Sequence, residues 1–158
     1  MSLRVPASLA EEFAHESAWL EELPQLAQEL AEQWSLELEE PIETPHSLVV
    51  PAGDAVLKLN APSHFEADTE VDALDLWNGD GAVRLLARDD VRRAFLMERC
   101  VPGTRLWDAG IDEAPVVAEL LPRLQLEVRD VRPFRRLADE ADRWTDEMQR
   151  HYDEAGEP

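Results

Sequence analysis

The sequence of 158 residues contains a single cysteine, Cys100, and no long apolar run. One cysteine cannot close a disulfide within the chain, which is typical of proteins in a reducing cytoplasm. No cluster of cysteine and histidine has metal-ligand spacing, so the sequence predicts no zinc site. No apolar run approaches the roughly 20 residues that span a bilayer, and the N-terminus lacks the apolar core of a signal peptide. We therefore expect a cytoplasmic protein that does not enter a membrane.

Positive charge is also scarce, because 35 acidic residues face 15 basic ones and the formal net charge is -20. A surface of this sign repels the phosphates of nucleic acids and of anionic membranes, so we expect neither as a partner. It suits a cationic small molecule. An acidic, well-solvated surface without any such ligand also explains the charge, and we take that explanation as the default.

Lysine is the rarest basic residue, since 14 of the 15 basic residues are arginine and only Lys58 is lysine. Such a bias reflects genome composition, with arginine replacing lysine wherever either will serve. Lysine is a compact ammonium on a flexible stem, whereas arginine is a planar fork. A position that keeps lysine is therefore a candidate for a contact with phosphate, unless Lys58 survived by chance.

The spacing of apolar residues predicts an α+β fold. Ser8 and Glu11 have the spacing of a capping box, and Pro24 suits the first turn of a second helix. The turn Pro51-Ala52-Gly53-Asp54 between two β-prone runs predicts a hairpin. The expected helices cover residues 8–19, 24–34, 66–77, 111–125 and 134–152, and the expected strands cover residues 36–38, 47–50, 55–59, 82–86 and 94–98.

This order of elements resembles the small lobe of the protein-kinase fold. A five-stranded antiparallel sheet carries one helix inserted between its third and fourth strands, and two helices precede the sheet. Strand character stops near residues 101–104, where Pro102-Gly103 breaks the last strand. We therefore expect residues 1–101 to form the N-terminal helices and an ATP-binding small lobe. Residues 102–158 would form the hinge and the helices that start a large lobe.

Lys58 lies in the run Ala55-Val56-Leu57-Lys58-Leu59, which resembles the V-A-I-K pattern of kinases. There, a lysine on the third strand contacts the α- and β-phosphates and is held by a glutamate on the next helix. Glu70 lies at the margin of the apolar face of the expected helix, and Glu66, one turn earlier, is the competing candidate. The alternatives are an edge-strand lysine and a surface glutamate that both face solvent.

The run from residue 95 to residue 103 resembles the strand and hinge that bind adenine in kinases. Met97 would take the gatekeeper position, and the Glu98 carbonyl and the Cys100 N–H would face the adenine edge. Backbone contacts leave side chains free, so we expect the Cys100 side chain to be a small buried hydrophobic group. Together with Lys58 and Glu70, these residues form the expected nucleotide site.

The sequence as a whole resembles the aminoglycoside phosphotransferases, in the branch of the streptomycin 6-kinases and hydroxyurea-resistance kinases. The most specific run is Leu76-Trp77-Asn78-Gly79-Asp80-Gly81-Ala82-Val83-Arg84-Leu85-Leu86-Ala87, and the resemblance covers residues 13–145. It implies an enzyme that transfers the γ-phosphoryl group of ATP, with Mg²⁺ bridging the phosphates. The acceptor would be a sugar hydroxyl of a cationic aminoglycoside antibiotic.

Two departures from this family limit the expectation. The loop of residues 40–46 has no glycine, although related kinases place glycines there so that backbone N–H groups approach phosphate. Glu40 and Glu43 in this loop would repel phosphates, so we expect weak or altered nucleotide binding. The family's His-Gly-Asp run, a following Asn and a metal-binding Asp are absent, and His151-Tyr152-Asp153 is not that motif. We therefore expect no catalytic residue and no magnesium ligand here, and no phosphoryl transfer by these 158 residues alone.

Three hypotheses about function remain. The chain is the N-terminal portion of a phosphotransferase, a short homologue that binds a nucleotide or a cation without catalysis, or an acidic interaction module. A small lobe without its large lobe exposes apolar surface, so we expect self-association. In the last helix Asp139, Glu140 and Asp142 either contact a cation or form a solvated face, and we favour the solvated face.

Overall fold

The structure is a computed structural model and describes residues 3–64, 67, 69–128 and 134–155. The chain divides into two compact units, Met1–Gln125 and Leu126–Pro158. The first unit contains α1 (Ala7–Glu12), a 3₁₀ turn (Ala14–Glu16), α2 (Ser17–Trp34), β1 (Ser47–Ala52), β2 (Ala55–Asn60), α3 (Glu70–Trp77), β3 (Leu85–Asp89), β4 (Ala94–Glu98), a 3₁₀ turn (Leu106–Asp108) and α4 (Glu113–Leu124). The second unit contains α5 (Leu137–Ala155). The expected α+β class is confirmed.

The sheet is antiparallel, with the strand order β1-β2-β4-β3. β1 and β2 form the expected hairpin, in which Ala52 pairs with Ala55 across a two-residue turn. Gly53 in that turn has φ +61°, a conformation that a glycine adopts without steric cost. β2 then pairs with β4, so the strand that carries Lys58 lies in the interior of the sheet and not at its edge.

The expectation of five strands was wrong, because the sheet in the described part of the chain has four. Residues 36–38 form no strand there. Farther along, the Glu39 N–H donates to the Pro51 carbonyl (2.8 Å) and the Ile42 N–H donates to the Val49 carbonyl (2.9 Å), and Ile42 and Val49 form an isolated bridge. Pro41 lies between these two contacts and has no N–H to donate, so the ladder cannot continue through it.

The N-terminal helices also differ from the expectation. The first helix ends at Glu12, and its N-cap residue is Pro6, which has no side-chain group to cap it. The Ser8 hydroxyl donates instead to the Glu43 carboxylate (2.7 Å), so the capping box was wrong. The second helix starts at Ser17, and Pro24 lies inside it and not in its first turn.

Later boundaries agree with the expectation to within a few residues. β4 coincides with the expected strand, whereas β3 starts at Leu85, three residues after the expected start. α3 is described from Glu70 onward, and the competing candidate Glu66 lies outside the described residues. The turn that delays β3 contains Asn78 and two glycines in left-handed conformations.

The two faces of the sheet have different roles. One face packs against α1 and α2, and its fully buried side chains include Leu48, Val50, Leu57 and Leu59 from the sheet and Leu9, Leu23 and Leu30 from the helices. Burying each such side chain contributes about 1.5–3 kcal/mol, so this layer provides most of the core. Because strand side chains alternate, Val56 and Lys58 point to the opposite face, where the candidate site lies.

In the second unit, α5 exposes Leu137, Trp144, Met148 and Tyr152. Glu140 accepts hydrogen bonds from Arg143 (2.9 Å) and Arg135 (3.0 Å), and Arg143 holds the pKa of this carboxyl below its usual range. Its neighbours Asp139 and Asp142 are exposed. Among the helices of the described residues, none is both long enough and apolar enough to cross a membrane.

Candidate functional site

Lys58 lies in a row of side chains that crosses the sheet. It pairs with Val49 of β1 on one side and with Phe95 of β4 on the other. Directly opposed residues of an antiparallel pair share a face, so these three side chains lie together on the face that α1 and α2 leave uncovered. Phe95 is fully buried there, and the Lys58 ammonium lies 5.7 Å from the centre of its ring. The ring therefore supports the charged end of Lys58.

The partner of Lys58 is Glu70, the first residue of α3. The Lys58 Nζ atom lies 2.5 Å from the Glu70 Oε1 atom. The lysine side chain is 18% exposed and that of the glutamate is 32% exposed, so the pair is partly shielded from water. A carboxylate in the first turn of a helix is favoured by the helix dipole. The structure thus brings together the lysine and the glutamate that the sequence analysis paired.

An apolar cleft lies on the same face, beside the end of β4. Its volume is about 360 Å³. The sheet provides Val49, Pro51, Val56 and Met97, the irregular segment before β1 provides Ile42, and the chain after β4 provides Arg99, Cys100, Pro102 and Gly103, with Val83 and Glu98 completing the wall. Lys58 stands two residues beyond Val56 on the same face of β2, which is about 6.6 Å along the strand.

The three residues expected at the hinge all line this cleft. Met97 pairs with Val56 across the sheet, so both side chains face the cleft. The Glu98 carboxylate accepts the Arg84 N–H (2.8 Å) and the Glu98 N–H donates to the Arg84 carbonyl (2.9 Å), which fixes the end of β4. The Cys100 side chain is exposed, so its expected burial was wrong: it follows the last sheet residue, where the core no longer covers the chain.

Arg99 lines the cleft and forms hydrogen bonds with the neighbouring segments of the chain. Arg99 donates to the Glu39 carboxylate (2.7 Å) and to the Gly53 carbonyl (3.1 Å), and the Gly53 N–H donates to the same carboxylate (3.2 Å). The hydrogen bond from Arg99 lowers the pKa of Glu39, so this carboxylate stays charged at neutral pH. These contacts join the chain after β4, the β1–β2 turn and the segment before β1.

The loop without glycine is anchored by its own side chains. The Glu43 carboxylate accepts hydrogen bonds from the Ser8 hydroxyl (2.7 Å) and the Ser8 N–H (2.8 Å). Ser8 lies in the first turn of α1, where backbone N–H groups lack helical partners, and its hydroxyl lowers the pKa of Glu43. The Thr44 hydroxyl donates to the Ser47 carbonyl (2.6 Å). Glu43 therefore caps a helix and is not part of the cleft wall.

A family model described as aminoglycoside/hydroxyurea antibiotic resistance kinase matches residues 33–155. The chain belongs to this family. It is 36% identical over 153 residues to a streptomycin 6-kinase of Streptomyces glaucescens, which covers 91% of the chain and 49% of that protein. It is 33% identical over 135 residues to a streptomycin 6-kinase of Streptomyces griseus, covering 77% of the chain and 44% of that protein. The chain thus spans about half the length of these relatives, and no solved structure matches it significantly.

Part of the run Leu76–Ala87, on which the family resemblance was based, forms a turn that connects α3 to α4 through side-chain contacts. The Trp77 indole N–H donates to the Leu124 carbonyl (3.0 Å), and Arg123 pairs with Asp80 (2.6 Å). Gly81 has φ +84°, and a Cβ atom there would lie 3.2 Å from the Leu124 side chain. A glycine is therefore favoured here, because the backbone conformation strains other residues and because a Cβ atom would force the neighbouring side chains of α4 to move.

The kinase family implies ATP and Mg²⁺, and the described residues fit the two differently. The apolar cleft suits the adenine ring of a nucleotide, and the cationic lysine suits its phosphates. Among the described residues, no group of three His, Cys, Asp or Glu side chains could hold a metal ion, and the Glu70 carboxylate already accepts from Lys58. The side chains in the described part of the chain therefore do not form a magnesium site by themselves.

Sequence reasoning missed several walls of the cleft. Side chains alternate between the two faces of a strand, so the sequence of β2 could have predicted that Val56 lies on the same face as Lys58. Ile42 reaches the cleft through its backbone pairing with Val49, and no sequence pattern indicates that pairing. Phe95 was recognised as a strand residue, but its position beside the Lys58 ammonium depends on a register that only the structure shows.

Proposed function

We propose that this chain is the ATP-binding part of an aminoglycoside phosphotransferase. The observation that carries the proposal is the Lys58–Glu70 ion pair, 2.5 Å long, on the sheet face that also bears the apolar cleft. A kinase needs both features on one surface, because the adenine is apolar and flat and the phosphates are anionic.

The cleft is the proposed place for adenine. Its volume of about 360 Å³ lies within the roughly 300–1,000 Å³ that is usual for small-molecule sites. Val56 and Met97 provide the apolar walls, and the backbone of Glu98 and Cys100 provides the polar edge of the hinge. Backbone contacts explain why the side chain of Cys100 is free to face solvent.

Lys58 is the proposed contact for the α- and β-phosphates. The ammonium is a compact charge on a flexible stem, and Glu70 and the Phe95 ring hold it near the cleft. When nucleotide binds, the lysine can keep one hydrogen bond to Glu70 and donate others to phosphate oxygens, since an ammonium has three donors. Glu70 therefore orients the lysine and would not contact the nucleotide.

The acceptor in this proposal is an aminoglycoside such as streptomycin, because two relatives are named streptomycin 6-kinases. A net charge of -20 would attract such a cation over a distance. Since the His-Gly-Asp run and the later metal-binding Asp are absent from the sequence, we expect these 158 residues to bind nucleotide without transferring its phosphoryl group. We further propose a cytoplasmic location and a functional boundary near residue 101, between the small lobe and the hinge.

The lone lysine allows a direct test of nucleotide binding. An amine-selective acetylating reagent forms stable amides with amines, and the amines of this chain are Lys58 and the N-terminus. Peptide mass spectrometry separates these two amides from each other and from products at Cys100, tyrosine or histidine. We expect saturating Mg-ATP to slow the acetylation of Lys58 and to leave the N-terminus unchanged. Adenosine is the matched control, because it would enter the cleft but has no phosphates to shield the lysine. Acetylation of Lys58 at the same rate with and without Mg-ATP would overturn the proposal.

A second measurement separates binding from catalysis. The chain is incubated with Mg-ATP and streptomycin, and the release of ADP and the mass of streptomycin are followed. We expect no phosphorylated streptomycin above the background without protein. A product that needs the intact Lys58 side chain would show that residues other than the family's usual motif support transfer.

A further inference from the structure

The row that contains Lys58 continues beyond Phe95 to Arg88. Arg88 of β3 pairs with Phe95 of β4, and Phe95 pairs with Lys58 of β2. Since opposed residues share a face, Lys58 and Arg88 flank the Phe95 ring on one surface of the sheet. They stand two strands apart, which is about 10 Å. That separation is close to the diameter of an α-helix with its side chains, about 10–12 Å.

α3 brings one carboxylate to each of these two cations. Glu70 accepts from Lys58 (2.5 Å), and Asp72 accepts from Arg88 (2.9 Å). Residues two apart on a helix point about 200° away from each other, so the two carboxylates leave opposite flanks of α3. The first turn of the helix is thus tied to β2 on one side and to β3 on the other, with Phe95 buried between them.

The Arg88 guanidinium is itself fixed in place. Its Nε atom donates to Asp90 (2.7 Å), its Nη1 atom donates to Asp72 (2.9 Å) and its Nη2 atom lies 2.7 Å from Asp90. Asp90 follows β3 directly, so it holds the arginine fork against its own strand. The Nη1 group of the fork thus donates to α3 in a set orientation, which a flexible lysine at this position would not do.

α3 needs such anchors because it is short. It has eight residues, and isolated helices shorter than about 12 residues are marginal in water. Its last residue is held by the hydrogen bond from Trp77 to Leu124. Its first residue, Glu70, has to stay within reach of Lys58, and the only other ion pair that the described residues show to the first turn is Arg88–Asp72.

We propose that Arg88 and Asp72 are positioning residues, which fix the first turn of α3 so that Glu70 holds Lys58 toward the cleft. The biological meaning of this inference rests on the proposed function, whereas the contact between Arg88 and Asp72 does not depend on it. Without the Arg88–Asp72 pair, the start of α3 would move away from the sheet more often, and Lys58 would lose its partner for part of the time.

Two asparagine variants test the proposal with a matched control. Asp72→Asn and Asp90→Asn each remove one carboxylate charge from Arg88, but only Asp72 lies on α3. We expect Asp72→Asn to raise the acetylation rate of Lys58 by about two- to fivefold, the range that a partly exposed ion pair can contribute. Asp90→Asn should raise the rate less than Asp72→Asn does, because the ion pair between Arg88 and Asp72 remains in that variant. Asp72→Glu keeps the charge, so the acetylation rate of Lys58 in this variant should stay closer to that of the unchanged chain than to that of Asp72→Asn.

The outcomes separate this proposal from the proposed function. Equal acetylation rates in Asp72→Asn, Asp90→Asn and the unchanged chain would overturn the positioning role, even if Mg-ATP still protects Lys58. A faster rate in Asp72→Asn than in both Asp90→Asn and the unchanged chain would support it, even if Mg-ATP gives no protection. A denaturant midpoint for each variant serves as the check on folding. If Asp72→Asn and Asp90→Asn lowered that midpoint and raised the rate equally, general loosening would explain the result and the proposal would be refuted.

Discussion

Replacing Lys58 with methionine should damage nucleotide binding far more than folding. Methionine keeps nearly the same length and volume as the lysine stem, so Lys58→Met leaves little cavity beside Phe95. It removes the ammonium that lies 2.5 Å from Glu70. The variant therefore isolates the charge of Lys58 from its packing.

The cost to stability follows from the exposure of the pair. Losing one partner of a fully buried ion pair costs about 3–5 kcal/mol, because the remaining charge has no water around it. Here the Glu70 side chain is 32% exposed, so its carboxylate can regain water once the ammonium is gone. We expect a loss near the range of exposed pairs, about 0–1 kcal/mol. For a chain of this size that lowers the melting temperature by about 2–4 °C at most.

The cost to nucleotide binding should be larger, since a hydrogen bond to a charged group contributes about 1.5–3 kcal/mol. That range corresponds to about a 10- to 150-fold weaker affinity for Mg-ATP. A fluorescent ATP analogue displaced by Mg-ATP measures the affinity, and guanidinium unfolding measures the stability. Lys58→Arg is the control, because it keeps the charge but not the shape. Its affinity for Mg-ATP should fall between those of the unchanged chain and Lys58→Met.

Two results would refute this reasoning. An unchanged affinity for Mg-ATP in Lys58→Met would mean that the lysine does not contact phosphate. A loss of stability above about 3 kcal/mol, the cost of breaking a buried pair, would mean that Lys58 is mainly a structural residue.

Three further predictions concern the frame of the site. Leu57→Ala, at a fully buried position of the sheet, should lower the free energy of unfolding by about 2–5 kcal/mol, whereas Leu86→Ala, at a leucine that is 49% exposed, should cost under about 1 kcal/mol; equal losses would contradict the assigned core. Gly81→Ala should be more destabilising in thermal unfolding than Gly53→Ala, because both have positive φ but only the first would bring a Cβ atom within 4 Å of other groups. Glu43→Gln should lower the melting temperature at pH 7, where hydrogen bonds from the start of α1 depress the pKa of Glu43. Since a depressed carboxyl pKa stabilises above its ordinary value, the difference between Glu43→Gln and the unchanged chain should vanish as the pH falls below 4.5; a gap that persists in acid would contradict the cap.

Elements governed by local chemistry could be predicted from the sequence. The turn at Gly53-Asp54 follows from a glycine between two β-prone runs, and the structure has a two-residue turn there. β4 follows from an apolar run that Pro102 ends. The pairing of Lys58 with Glu70 was predicted from the resemblance to kinases, and the local pattern of apolar residues only placed Glu70 at the margin of the buried face of the helix.

Elements governed by long-range pairing could not be predicted. Residues 36–38 were expected to form the first strand. The sequence does not show which strand this segment would pair with, or that Pro41 would interrupt the pairing. Ser8 looked like the start of a capping box, but Glu43, 35 residues away, takes its hydroxyl. The row that joins Lys58 to Arg88 depends on two strand registers, and neither register leaves a mark in the local sequence.

The direction in which the Lys58 side chain points is nevertheless determined by its neighbours in β2. A slip of β2 by one residue would exchange its two faces, placing Lys58 against α1 and α2 and exposing Leu57 and Leu59 to the cleft. That arrangement would bury an unpaired ammonium, which costs several kcal/mol, and would lose the burial of two leucines, about 1.5–3 kcal/mol each. Both effects favour the observed register. The leucines of β2 therefore direct the lysine toward Glu70 and the cleft, so a substitution that weakens this core, such as Leu57→Ala, should also make Lys58 more reactive.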